Sequence, residues 1–232
     1  MRYRAVFFDA GETLVHPSPS FPELFAQVVT REGHDVRPED VQMASNAVSD
    51  GFSRAARANR LWTTTSERSR SFWLSVYDLM LGPLGLPTGD GLGENLYAAF
   101  TDRSNYVLFD DVRLTLDELV TEGYTLGLVS NFEVWLDDLL LDLGVRDAFA
   151  VRVISGVEGV EKPDPRIYRL ALERAGVDAH DSVYVGDNPE FDVDPPAALG
   201  MFPVLIDRRE RHVDHDGARI TDLGHLPEAL RG

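Results

Sequence analysis

Asp9, Ser130, Lys162 and Asp187 each close or follow an apolar run, and their types could do chemistry together. The run Tyr3-Arg4-Ala5-Val6-Phe7-Phe8 reads as a buried central strand. It stops on Asp9, with Ala10-Gly11 as a turn signal and Thr13 close behind. Tyr124 to Val129 ends on Ser130-Asn131, and Val151 to Ile154 is followed by Lys162-Pro163. Ser182-Val183-Tyr184-Val185 ends on Gly186-Asp187, with Asp192 shortly after. Singly these are ordinary, because Asp caps turns and Ser-Asn, Lys-Pro and Gly-Asp build them. At the carboxyl ends of parallel strands they would share the crevice where open α/β sheets bind ligands. Such a set offers a carboxylate nucleophile, hard oxygens for a divalent cation and an ammonium that balances negative oxygens.

The elements that must position these residues follow from periodicity. After Leu14, His16-Pro17-Ser18-Pro19-Ser20 leaves the first strand. Phe21, Leu24, Phe25 and Val28 then share one helix face, and Pro38-Glu39-Asp40 opens a second helix running towards Arg60. Ser66 to Leu81 predicts a third, with Phe72, Trp73, Val76, Tyr77 and Met80 on one side, an aromatic stripe that reads as core packing. A Gly/Pro-rich break precedes a fourth helix through Leu96 and Phe100. From Asp110 strands and helices alternate: a helix over Val112 to Gly123, one over Glu133 to Leu143, one over Arg166 to Gly176 and a short one after Pro195. Phe202 to Ile206 is a last strand, and a charged stretch, Arg208-Arg209-Glu210-Arg211-His212, precedes a final helix around Leu226 and Leu230. The helical stretch 18–105 is too long for a strand-to-strand crossover and reads as an insertion.

Composition narrows the function classes. The chain has 232 residues, 44% hydrophobic and 26% charged, as in ordinary globular proteins. It lacks cysteine, which removes disulfides, thiolate metal sites and cysteine nucleophiles and agrees with a cytoplasmic location. No leader-like or membrane-length apolar segment is present. A net charge of −17 argues against nucleic acid or anionic membrane as a partner, and an anionic substrate would need locally concentrated positive charge. Of the 22 basic residues all but Lys162 are Arg. Where Arg serves almost everywhere, one retained Lys points to a site that needs a compact ammonium on a flexible stem.

The order of Asp9 with Thr13, Ser130-Asn131, Lys162-Pro163, and Gly186-Asp187 with Asp192 resembles the haloacid dehalogenase superfamily, over essentially the whole chain. The resemblance implies an α/β fold: a three-layer, doubly wound, Rossmann-like core of parallel strands over residues 1–17 and 106–232, with an all-helical cap inserted over 18–105. It implies a cytoplasmic hydrolase in which Asp9 is the nucleophile. Asp9, Asp187 and the Gly11 backbone oxygen would hold Mg²⁺, and Ser130 and Lys162 would clamp the transferring group. Thr13 and Asn131 would position the loops, while Asp192 would act through Asp187 or Lys162. The substrate would be a small molecule, a phosphate ester, and the protein a monomer or homodimer, with cap aromatics such as Trp62 and Trp73 available to an interface.

One departure matters. Phosphatases of this superfamily carry Asp-x-Asp in the first motif, and the second Asp serves as general acid and base; here that position is Gly11. General acid–base catalysis is worth roughly 10²–10⁴-fold. Glu12 could substitute only through an altered backbone in this Gly-containing turn, and His16 is a weaker candidate. The 2-haloacid dehalogenases also lack that acid, and Lys162 with Tyr168 resembles dehalogenase positions; Arg54, Arg57 or Arg60 would then hold a substrate carboxylate. Gly186-Asp187, however, is the phosphatase form of the last motif. Phosphonoacetaldehyde hydrolases need a cap lysine, and 18–105 contains none. The leading expectation is a Mg²⁺-dependent phosphatase, the alternatives a 2-haloacid dehalogenase and a non-catalytic binding protein on the same scaffold.

Overall fold

The computed structural model describes residues 2–46, 62–89 and 91–231. The chain divides into two compact units, one of residues 1–15, 63–65 and 108–232 and the other of 16–62 and 66–107. The candidates Arg54, Arg57 and Arg60 lie outside the described residues.

The first unit is built on a six-stranded sheet. β1 (Ala5–Phe8) lies at its middle, flanked by β4 (Thr125–Ser130) and β6 (Ser182–Gly186). β5 (Val151–Ile154) is the outer neighbour of β4, and β7 (Phe202–Ile206) and β8 (Arg219–Ile220) follow β6. Every pairing is parallel, with Phe8 in register with Leu128 on one side and Val185 on the other. β1 is buried on both faces, which is why its sequence is a continuous apolar run. Its alternate residues serve two layers. Ala5 and Phe7 join a core with Ile167, Tyr168 and Ala171; Phe8 turns the other way and meets Phe149 edge-on at 6.3 Å.

The second unit is helical: α1 (Phe21–Arg31), a stretch from 38 to 46, α2 (Ser66–Leu81) and α3 (Leu92–Thr101). Ser20 caps α1, accepting the Glu23 N–H while its hydroxyl donates to the Glu23 carboxylate at 2.6 Å. Phe25, Val76, Tyr77, Met80, Leu96 and Phe100 form its core. Phe100 stacks on Phe21 and Tyr77, so the aromatic stripe of α2 is packing, as its spacing suggests. Two short strands absent from the expectation, β2 (Val15–Pro17) and β3 (Tyr106–Leu108), pair where the chain passes from one unit to the other.

In the first unit the helices are α4 (Val112–Thr121), α5 (Leu136–Asp142), α6 (Ser155–Glu158), α7 (Pro165–Ala175), α8 (Asp194–Ala198) and α9 (Leu226–Arg231). α5 starts later than expected, because residues 132–134 pass so close to Gly156 that a Cβ there would lie 2.9 Å from the Phe132 carbonyl oxygen. Among the described residues no helix is long and apolar enough to cross a membrane.

Candidate active site

β1, β4 and β6 end side by side, and this brings Asp9, Ser130 and Asp187 together without any long-range coincidence of loops. One carboxylate oxygen from each of Asp9, Asp187 and Asp192 lies within 4.8 Å of the other two. Lys162 Nζ enters between two of them, 2.7 Å from Asp9 Oδ1 and 2.7 Å from Asp192 Oδ1. The Ser130 hydroxyl donates to the same Asp9 Oδ1 at 3.0 Å. One oxygen of Asp9 is thus held by two donors.

Each partner is held in turn. Asn131 grips the main chain of Lys162 from both sides: its amide donates to the Lys162 carbonyl at 2.8 Å, and its oxygen accepts the Lys162 N–H at 2.7 Å. Asp192 sits in a π-helical turn, Pro189–Val193, and its Oδ2 accepts the Asn188 N–H. It pairs directly with Lys162, one of the two residues through which it is expected to act. A Cβ on Gly186 would lie 2.3 Å from Asp192 Cγ, so only glycine lets this carboxylate close on the strand. The Tyr168 hydroxyl donates to the Phe191 carbonyl of the π turn, and the Tyr184 ring faces Lys162 with its centroid 5.7 Å from Nζ. The sequence reading overlooked Tyr184, whose alternation on β6 is its only signal.

Crowding sets the charge states. Burial opposes the Lys162 ammonium, but Asp192 and Asp9 outweigh it and hold the amine protonated beyond the ordinary lysine range. Burial pushes Asp192 up to about 6 against the pull of Lys162. Asp187 is raised well above a normal carboxyl, first by desolvation and then by Asp192 and Asp9. Three acids face one ammonium, and like charges this close resist joint ionisation. Hard oxygen donors with surplus negative charge fit a small divalent cation.

The loop after Asp9 carries the other candidates. Its turn is closed by Glu12 N–H to Val15 O and Val15 N–H to Ala10 O, and neither bond uses the Gly11 carbonyl. The Thr13 hydroxyl is fully buried and has no hydrogen-bond partner among the described residues. An orphaned buried hydroxyl costs on the order of 1–3 kcal/mol, which an oxygen ligand would relieve. Glu12 adopts φ 57° and forms an ion pair with Arg209 at 2.6 Å. That directs its carboxylate to an arginine. His16 belongs to the helical unit, where Nδ1 contacts the Pro17 carbonyl.

Residues 3–200 match the model of haloacid dehalogenase-like hydrolases. The chain is 30% identical to the haloacid dehalogenase-like hydrolase domain-containing protein 3 of Danio rerio, covering 98% of this chain and 96% of that relative. It is 36% identical to the glyceraldehyde 3-phosphate phosphatase of Methanopyrus kandleri across 63% of this chain and 64% of the other. Among solved structures, L-2-haloacid dehalogenase from Xanthobacter autotrophicus superposes with a TM-score of 0.69 at 21% identity, covering 99% of both chains, a likeness of fold.

Proposed function

Because the chain belongs to the haloacid dehalogenase-like hydrolases, we propose that it is a Mg²⁺-dependent phosphatase of a small organic phosphate, with residues 18–105 as the cap that selects the substrate. The observation that carries this reading is the surplus of acid in the pocket: Asp9, Asp187 and Asp192 against the single ammonium of Lys162. Asp9, Asp187 and the Gly11 carbonyl would hold the cation, which would supply charge balance between the carboxylates and a phosphoryl group.

Asp9 is the nucleophile. One of its oxygens forms a bond to phosphorus while the bond from phosphorus to the leaving oxygen breaks. Water then attacks the aspartyl-phosphate, releasing inorganic phosphate and regenerating the carboxylate. Lys162 and Ser130 counter the negative oxygens in both steps, and the buried Thr13 hydroxyl is available to the same group. Asn131 keeps Lys162 in place. With glycine at position 11 no side chain there protonates the departing oxygen, so esters whose leaving groups are stable anions are favoured.

The absence of that acid also favours the dehalogenase reading. Two features speak against it: a third carboxylate repels a carboxylate substrate, and the Tyr168 hydroxyl is engaged with the Phe191 carbonyl. The deciding experiment is hydrolysis of an aryl phosphate with and without Mg²⁺. Turnover that requires the metal and disappears in Asp9→Asn supports the phosphatase. No turnover, together with halide release from 2-chloropropionate, overturns it.

A further inference from the structure

The charged stretch after β7 begins with a residue that is nearly buried. Arg208 keeps only 11% of its side chain exposed, and its partner Asp111 10%. The Arg208 guanidinium sits over the Phe109 ring, with Cζ 3.8 Å from the centroid. One edge takes Asp111 in a fork, Nη1 to Oδ2 at 2.8 Å and Nη2 to Oδ1 at 2.9 Å. The other edge donates twice to a single acceptor, the Thr13 carbonyl: Nε at 3.2 Å and Nη2 at 2.8 Å.

Asp111 is itself fixed, because its Oδ2 also accepts the Leu223 N–H at 2.7 Å. Next to Thr13, the Leu14 carbonyl accepts the Phe109 N–H at 3.1 Å. The loop from Asp9 to Val15 is thus docked on the sheet's flank through two successive carbonyls. The Thr13–Leu14 peptide is held on both sides, its carbonyl by Arg208 and its N–H by the Ala10 carbonyl at 2.8 Å, and Thr13 carries its side chain next to that anchored peptide. A lysine cannot reproduce this arrangement, since one ammonium lacks the planar fork that reaches a carboxylate and a carbonyl at once.

We propose that Arg208 is a positioning residue for the reaction: it holds the loop that follows the nucleophile in its working geometry through the Thr13 carbonyl. The proposal rests on the hydrolase reading of Asp9 above. Arg208 touches none of Asp9, Lys162, Asp187 or Asp192 in the hydrogen bonds described, so its influence travels through the loop.

The test uses the full chain with an aryl phosphate and Mg²⁺. Arg208→Ala, assayed at a temperature where circular dichroism shows it fully folded, is expected to lose roughly 10²-fold in kcat, the cost of misplacing a catalytic loop by about 1 Å. KM should stay within about threefold, because uniform binding is untouched. Added guanidinium should restore part of the lost kcat, whereas methylammonium should not. Arg208→Lys should resemble Arg208→Ala. A folded Arg208→Ala with wild-type kcat overturns the proposal, as does a loss that guanidinium leaves unchanged. If Arg208→Ala does not fold, Asp111→Asn takes its place, with a smaller loss in kcat expected and an unchanged kcat counting against the proposal. Inactivity of the wild-type chain itself, by contrast, strikes the phosphatase reading.

Discussion

Lys162 Nζ and Asp192 Oδ1 stand 2.7 Å apart, with 3% and 1% of their side chains exposed. A buried pair of this kind is worth most through what its loss leaves behind. Lys162→Met strands two carboxylates and should destabilise the fold by about 3–5 kcal/mol. Adding Asp192→Asn should return part of that loss, with a coupling of roughly 0.5–3 kcal/mol in urea unfolding of the two single variants and the double. Additive losses would mean that the two groups act independently.

Position 11 is open. A Cβ built on Gly11 meets nothing within 4 Å, and its backbone is not in the left-handed region. Gly11→Asp should therefore fold normally and install the missing acid. Hydrolysis of an alkyl phosphate should rise, up to the roughly 10²–10⁴-fold that general acid catalysis contributes, while an aryl phosphate with a stable leaving anion should gain little. Equal effects on both substrates would show that leaving-group protonation is not what limits the wild-type enzyme.

Two glycines in the sheet separate chemistry from stability. Gly186→Ala drives a methyl group against Asp192, so kcat should fall along with stability. Gly127→Ala instead places its Cβ 2.4 Å from the Phe7 ring, with no carboxylate among its nearest atoms. It should cost about 1–3 kcal/mol through overpacking and leave kcat intact in the cold. Melting temperatures and kcat measured side by side would expose any exchange of these roles.

Acid sensitivity has one well-placed source outside the pocket. Burial pushes the Asp207 carboxyl up, but the His212 and Arg211 N–H groups and the Arg219 guanidinium outweigh it and hold it below the ordinary aspartate value. A carboxyl depressed on folding stabilises above its unfolded pKa of about 3.9, and this contribution fades as pH falls through the folded value. Asp207→Asn should melt well below wild type at pH 7, and the gap should shrink below about pH 4. A gap that does not change with pH would assign the loss to packing.

How much could be read from the chain depended on range. β1, β4 and β6 announce themselves as apolar runs with an abrupt polar stop, so Asp9, Ser130 and Asp187 were legible together with the sheet that aligns them. β2, β3 and β8 were not, since strands of two or three residues are defined by a pairing partner and carry no periodicity of their own. Arg208 was hidden for a similar reason: its acceptors, Thr13 and Asp111, lie 195 and 97 residues away. The buried knot in which the Thr63 N–H and hydroxyl both donate to Glu161, beside Lys162, also escaped, because it joins positions 98 residues apart.

The chain's single ε-amine belongs to Lys162, and only 3% of that residue is exposed. An amine-acylating reagent therefore finds no lysine on the native surface, where the other basic side chains are guanidinium groups and imidazoles. Acylation at position 162 has to wait for the pocket to open, for the ion pairs with Asp9 and Asp192 to break and for the ammonium to give its proton to solvent. The rate of that one adduct, followed by mass spectrometry, becomes a clock for local opening around Lys162, with no competing lysine signal.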